Sequence, residues 1–490
     1  MGSNGFSISQ YPDVAEVSRR LDALKRLPIQ RLRADALAAY VSEFYEKGCA
    51  KSKAMIDEAK NYIPGGVQHN LAFNFPFPLV FDRASGPFLF DIDGHRYFDF
   101  LQAGGPTVLG SNPSEVLAQV KELLDYTGPS TGLFHEYELK LAKFIADHMP
   151  AVQQFRMLGS GTEGCMAAIR VARLATKKKN VVKMGGAYHG WSDQLAYGLR
   201  IPGTRHFEAH GVPKHVFKYT QEFYPNDLSD LERVLHRNKL RGGTAAVMLE
   251  PLGPESGTRP VGKGFAAGAR ALCDRYGALL VFDEVVTGFR VGLSGAQGYF
   301  GIEPDLTVFG KVVAGGYPSA GGLGGKKEYM KFLAAGLQAG QKKALVGGTM
   351  AANPLSAAAG YFTLSEIERT GACEKAGRAG DRLTAGLQAI MEKRGLPFVA
   401  FNQGSICHLE TVATMLFDID FSKFWNVPAT MKNIHARKKV MEEMGAAYMA
   451  EGIVTLAGSR LYTSAAYTDE LVDEALAAFD RVFANIEGAQ

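Results

Sequence analysis

The chain has 490 residues, 46% of them hydrophobic and 21% charged, an ordinary globular composition with room for two or three domains. Fifty-four Lys and Arg against 50 Asp and Glu leave a net charge of +4, too balanced to point to nucleic acid or an anionic membrane surface. No apolar run is long enough to span a bilayer, and five cysteines without CxxC spacing read as free thiols, so a cytoplasmic protein is expected.

Residues 12–60 are charged and helical in pattern; Leu37, Tyr40, Val41 and Phe44, for example, mark one helix face. Pro64-Gly65-Gly66 ends this arm. "FLFDIDGHRYFDF" then predicts a hairpin, Phe88 to Ile92 and Arg96 to Phe100 around an Asp93-Gly94 turn. From about residue 110 short apolar strands alternate with helices. The clearest strands are Ala245 to Leu249, Ala278 to Phe282 and Asp305 to Phe309, and Phe265 to Tyr276 reads as a connecting helix. Wholly apolar strands of this kind indicate a parallel sheet covered on both faces. Beyond about 365 the pattern returns to helices and short strands, expected to form a second domain with the N-terminal arm.

"MLGSGTEGC", residues 157–165, matches the GxGxxG dinucleotide fingerprint from Gly159 to Gly164. Gln154 to Leu158 can be a strand, and Cys165 to Thr176, rich in Ala and free of Gly and Pro, a helix. Glycines at such a junction let a phosphate reach the first N–H groups of the helix, where the dipole favours an anion. A Rossmann site also needs an acid at the end of the next strand, and Asn180 to Met184 ends without one. The turn therefore suits a phosphate, but not that of NAD. Gly257 to Lys263 fits GxxxxGK, yet Gly264 stands where Mg²⁺ binding needs Ser or Thr, and Pro260 removes a cradle N–H.

The buried strands end at Glu250-Pro251, Asp283-Glu284 and Gly310-Lys311. Ligands of open parallel sheets bind at the carboxyl ends of strands, so Asp283 and Lys311 should converge on one pocket. An acid, a lysine and a phosphate turn fit pyridoxal phosphate, whose chemistry needs a lysine Schiff base and a carboxylate on the pyridinium nitrogen. A buried Asp–Lys ion pair would explain the two residues equally well.

The surrounding text extends the pattern. "VFDEVVTGFRVGLSGAQGYFGIEPDLTVFGKVVAGGYPSAGGLGG", residues 281–325, strongly resembles the class III aminotransferases of pyridoxal phosphate fold type I, above all the glutamate-1-semialdehyde aminomutase branch. "GSGTEGCMAAIRVARLAT", "GGAYHGW" and "GGTMAANPLSAAAG" continue the resemblance, which runs from about 60 to 475. It implies an α/β fold: a large domain with a mainly parallel seven-stranded sheet flanked by helices, and a smaller α+β domain. The expected divisions are an arm over 1–60, small-domain segments at 61–110 and 365–490, and a cofactor domain over 111–364. The resemblance also implies that Lys311 forms the Schiff base and shuttles the proton, that Asp283 pairs with the ring nitrogen, and that Val285 packs on the ring. Ser160, Gly161 and Thr162 would hold the phosphate and Tyr188 would stack on the other face. Thr349 would reach the phosphate of the neighbouring subunit, implying a homodimer with shared sites. Glu250 would orient nearby groups, and His189 would be structural.

Two departures bear on substrate. Ala72 stands where the aminomutase branch carries a substrate-binding Arg, and Gly104 replaces a Trp before Gly105-Pro106. Both argue against glutamate-1-semialdehyde and leave room for a bulkier or less acidic amine. Phe73, Phe75 and Phe77 alternate as either a pocket lining or a core face. With Ala72 offering no charge, Arg460 becomes the candidate for a substrate carboxylate, with Arg290 behind it. The expected activity is transfer of an amino group between an amino acid or related amine and a 2-oxo acid. The alternative is an intramolecular enzyme, an aminomutase or racemase, using the same Lys311 and Asp283.

Overall fold

The apolar strands pair into one seven-stranded sheet in the computed structural model of the chain, which describes residues 5–72, 74–336, 342–417 and 427–489. In spatial order they are Gln154–Leu158, Gly321–Gly325, Leu306–Gly310, Leu279–Asp283, Thr244–Leu249, Asn180–Met184 and Thr220–Phe223. Neighbours are parallel except at Gly321–Gly325, which is antiparallel to both strands beside it.

Alternation along each strand divides the side chains between two layers. Val181, Ala246, Met248, Leu279 and Val281 face Ile169 and Ala172 of the helix Gly161–Thr176. Val182, Val247, Leu249, Leu280 and Phe282 face the opposite layer, against Leu231 and Val234 of Leu228–Lys239 and Leu272 of Phe265–Tyr276. Both faces are covered, which is why the strands are apolar throughout.

The strand Gly321–Gly325 has no signature in the sequence, since four glycines oppose strand propensity. Packing explains them. A Cβ on Gly321 would lie 2.3 Å from the Ser160 backbone, and one on Gly322 would lie 2.3 Å from the Phe155 ring. The strand is pressed against the turn that opens the helix Gly161–Thr176.

The predicted hairpin forms as Phe88–Asp91 and Arg96–Asp99, with Phe88 opposite Phe98. A strand from the far end of the chain, Ile453–Val454, adds in parallel to Arg96–Asp99. A third sheet joins Val399–Gln403, Ile406–Glu410 and Arg460–Tyr462. One hydrophobic cluster gathers Val17, Leu21 and Leu24 of the N-terminal helix Val14–Arg26 with Leu383, Leu387, Phe479 and Phe483.

The helix face expected at Leu37 to Phe44 is interrupted. Ala34–Ala39 is α-helical, but Tyr40–Gly48 widens into a π-helical turn, whose longer period rotates the side chains out of the 3.6-residue register. Leu37 and Tyr40 pack on the cluster just described, and Phe44 packs on a second one with Tyr45 and Tyr97.

Close packing at Gly164 gives a test. Ala in a helix interior normally gains about 1 kcal/mol over Gly. Here the added methyl would sit 2.7 Å from the Gly322 carbonyl oxygen and 2.8 Å from Val308 Cγ1. Gly164→Ala should therefore lose about 1–3 kcal/mol in urea unfolding, as overpacked cores do. A gain in stability would mean that the helix–sheet contact is looser than described.

Candidate active site

Register alone brings the candidate acid and lysine together. Asp283 ends its strand opposite Val308, and Lys311 follows the end of that adjacent strand at Gly310. On the other side Leu249 pairs with Phe282, so Glu250 emerges next to Asp283. Lys311 begins a short 3₁₀ turn with φ +48°, a left-handed conformation unusual for a long side chain and of the kind concentrated at functional sites. Its amine has no hydrogen bond or ion pair among the described residues. A methyl group placed on Gly105 would lie 3.6 Å from both Lys311 Cδ and Tyr462 Cζ, so Gly105 adjoins both residues.

Asp283 is buried and held on several sides. His189 Nδ1 lies 2.7 Å from Asp283 Oδ2, the Val285 N–H donates to Oδ1 at 3.0 Å, and the Cys165 thiol approaches Oδ2 at 3.5 Å. Burial holds His189 below the usual histidine range, against the pull of Asp283. Burial thus favours the uncharged ring, and Nδ1 is the nitrogen placed to donate to the carboxylate. The resemblance implied a structural role for His189, and the geometry shows its ring held against Asp283. Its only sequence signal was adjacency to Tyr188.

The Cys165, His189 and Asp283 donor atoms lie close enough to hold a metal. Burial and then Asp283 keep Cys165 a thiol, and Asp283 Oδ2 already accepts from His189, so the trio fits a hydrogen-bond cluster better than a metal centre.

Glu250 accepts from the N–H groups of Tyr188 at 2.8 Å, Glu255 at 3.0 Å and Ser256 at 2.7 Å. Glu255 and Ser256 both have positive φ, a strained pair that aims successive N–H groups at one carboxylate. Burial, then the neighbouring Asp283, pushes Glu250 up to about 8. Glu250 thus anchors the Tyr188 backbone while the Tyr188 side chain stays 46% exposed. Lys183, wholly buried and unremarked in the sequence, ties down the same loop through the Ala187 and Tyr197 carbonyls, both at 2.7 Å.

The glycine turn suits a phosphate. Ser160 caps the helix Gly161–Thr176 by accepting from the Glu163 N–H at 3.2 Å. The N–H groups of Gly161 and Thr162 have no acceptor among the described residues. A Cβ on Gly161 or on Gly310 would lie 2.7 Å from a Val285 methyl, so Val285 is wedged between the turn and the strand leading to Lys311. Two unsatisfied N–H groups, a hydroxyl, an unpaired lysine and an acid on adjacent elements fit pyridoxal phosphate. Thr349 is exposed. The preceding Gly348 lies beside Glu163 of its own chain, a methyl there being 3.3 Å from Glu163 Oε2.

Arg460 is largely buried. Its Nη2 pairs with Glu255 Oε2 at 3.0 Å and its Nη1 donates to the Glu255 carbonyl at 3.2 Å. Arg290 is fully buried, donating to the carbonyls of Gly105 at 2.8 Å and Thr463 at 2.9 Å, and so cannot take a substrate carboxylate from solution. Ala72 is exposed. Phe75 and Phe77 pack against a core with Tyr45 and Leu79, and Phe73 lies outside the described residues.

Fold and donor set together define an enzyme built for pyridoxal phosphate. Residues 72–483 match the family model described as Aminotransferase class-III, and the chain belongs to that family. Glutamate-1-semialdehyde 2,1-aminomutase of Desulforapulum autotrophicum is 34% identical over 449 residues, covering 89% of this chain and 99% of that protein. The crystal structure of an omega-transaminase from Sphaerobacter thermophilus matches with a TM-score of 0.77 at 25% identity, over 90% of this chain and 99% of that one. A transaminase solved with PLP bound matches with a TM-score of 0.76 at 25% identity, over 89% and 97%. The fold is fold type I and the cofactor is pyridoxal phosphate. No described helix is long and apolar enough to cross a membrane.

His408, opposite Arg460 in the third sheet, gives a pH test. It is wholly buried, stacks on Phe401 with ring centres 4.7 Å apart, and neither ring nitrogen makes a close hydrogen bond among the described residues. Burial, helped by Arg460, pushes it down to about 3. A folded value below the unfolded 6.5 means that its contribution is intact above pH 6.5 and is lost as pH falls towards about 3. His408→Phe should flatten the fall of the urea midpoint between pH 6.5 and 4. An unchanged slope would show that His408 is not what acid attacks.

Proposed function

We propose that the chain is an aminotransferase that moves an amino group between an amino acid or related amine and a 2-oxo acid. The observation that carries this reading is the Arg460–Glu255 pair. Transamination brings two different substrates to one site in turn. A guanidinium that binds the carboxylate of one must be neutralised when the other places an uncharged group there. Glu255 can do this, releasing Arg460 to a carboxylate and recovering it afterwards.

In this reading pyridoxal phosphate, when bound, supplies an electron sink for the carbon bearing the amino group. Lys311 holds the cofactor covalently and moves the proton at that carbon. Asp283, oriented by His189, keeps the ring nitrogen protonated, while Val285 and Tyr188 take its two faces. Ser160, Gly161 and Thr162 hold the phosphate, with Thr349 reaching it from the second subunit of a homodimer. Asp283→Asn should bind cofactor but turn over about 10²–10³-fold more slowly, as for other lost electrostatic partners. Near-normal turnover would remove Asp283 from the site.

A second reading, an intramolecular aminomutase, is favoured by the 34% identical relative. The two separate on acceptor dependence. The aminotransferase should convert the bound cofactor to its amine form with a donor alone and need pyruvate or 2-oxoglutarate to continue. An aminomutase would turn over without any acceptor. Arg460→Ala should raise KM for carboxylate-bearing substrates by about 10-fold or more, the worth of a charged hydrogen bond, and spare amines without a carboxylate. Equal effects on both classes would defeat the role given to Arg460.

A further inference from the structure

Arg290 is a buried guanidinium with no ion pair among the described residues. Its partners come from both ends of the chain. Nε donates to the Gly105 carbonyl at 2.8 Å, and Nη1 donates to the Thr463 carbonyl at 2.9 Å and to Ser405 Oγ at 3.1 Å. The guanidinium carbon lies 5.0 Å from the centre of the Tyr462 ring. Gly105 is flanked by both the Lys311 side chain and the Tyr462 ring.

The Gly105 segment follows a single short 3₁₀ turn, Gln102–Gly104, closed by the Gly105 N–H donating to the Gln102 carbonyl at 2.8 Å. It belongs to a turn in which Gln102, Ala103, Gly104 and Gly105 all have positive φ. Asp99 accepts from the Gln102 N–H at 2.7 Å at one end, and at the other Arg290 holds the Gly105 carbonyl. Burying a charge is costly, and neutral acceptors repay it only in part. Asp99 attracts the charge from beyond ion-pair distance, and what the guanidinium itself binds are three neutral acceptors from separate segments, which its planar fork can reach at once and a neutral side chain could not.

We infer that Arg290 is a positioning residue for Lys311, fixing Gly105, the wall beside the lysine side chain, together with the Tyr462 ring that packs on the same glycine. The inference rests on the assignment of Lys311 as the residue that holds the cofactor. With the wall loosened, the amine samples more orientations and less often takes the one that attacks the cofactor carbonyl.

The test is the rate at which cofactor-free protein captures pyridoxal phosphate covalently, followed by visible absorbance and by borohydride trapping with peptide mapping. Arg290→Met should slow capture at Lys311 by about 10-fold or more, the loss expected for charge-assisted hydrogen bonds. Arg290→Lys, which keeps the charge but not the planar fork, should fall between the variant and the wild type. Ser405→Ala, which removes one acceptor, should slow capture by a smaller factor, and it decides the matter if Arg290→Met does not fold. In turnover, kcat should fall while KM changes little. Folded Arg290 variants that capture cofactor at the wild-type rate, with lower stability as their only defect, would overturn the inference. So would wild-type capture by Ser405→Ala where Arg290→Met cannot be obtained. Lys311→Ala separates the two levels: a trapped lysine adduct in that variant would refute the Lys311 assignment itself.

Discussion

A carboxylate taken out of water must be met by donors, and most of the site can be traced to how Asp283 is met. Its strand lies inside the sheet, so it cannot turn to solvent. His189 supplies one donor, Val285 N–H another, and the Cys165 thiol a weak third. Each comes from a different element: the loop after Asn180–Met184, the turn after Asp283 itself, and the helix that opens at the phosphate turn. Satisfying one acid therefore fixes the relative positions of the three elements that surround the cofactor.

The run from Asp283 to Arg290 works through the same economy of spacing. Glu284 folds the turn back by accepting from the N–H groups of Ala296 at 2.7 Å and Gln297 at 3.0 Å and from the Thr287 hydroxyl at 2.8 Å. Val285 fills the gap between Gly161 and Gly310, where either glycine with a side chain would push the phosphate turn away from the lysine. Arg290 then crosses to Gly105 and Thr463. Eight residues connect the acid at the strand end, the apolar contact between the two glycines and the arginine that reaches Gly105. That is a physical reason for so specific a string.

Charge at Arg460 is balanced differently. Arg460 is neutralised within the protein by Glu255, and Glu255 also donates its N–H to Glu250, which in turn anchors Tyr188. Any displacement of Arg460 would be felt along this chain of contacts as far as Tyr188. The strained backbone at Glu255 and Ser256 keeps that chain in register.

The sequence by itself determined the elements whose signal is local. Apolar strands, the Ala-rich helix after the glycine turn, and the acid and lysine at strand ends were legible because period, composition and turn residues act over a few positions. The failure of the dinucleotide reading was legible for the same reason: the strand Asn180–Met184 carries no acid. Tertiary structure decided whatever depends on residues far apart in the chain. The glycine strand Gly321–Gly325 exists because the Ser160 backbone and the Phe155 ring leave no room for side chains, a fact no propensity contains. Arg460 and Arg290 looked alike as free guanidiniums, and only their partners 205 and 185 residues away distinguish one held by an acid from one sealed in the core. His189 became the orienting partner of Asp283, 94 residues on, because parallel strands of one sheet, here with Thr244–Leu249 between them, carry their following loops to the same edge.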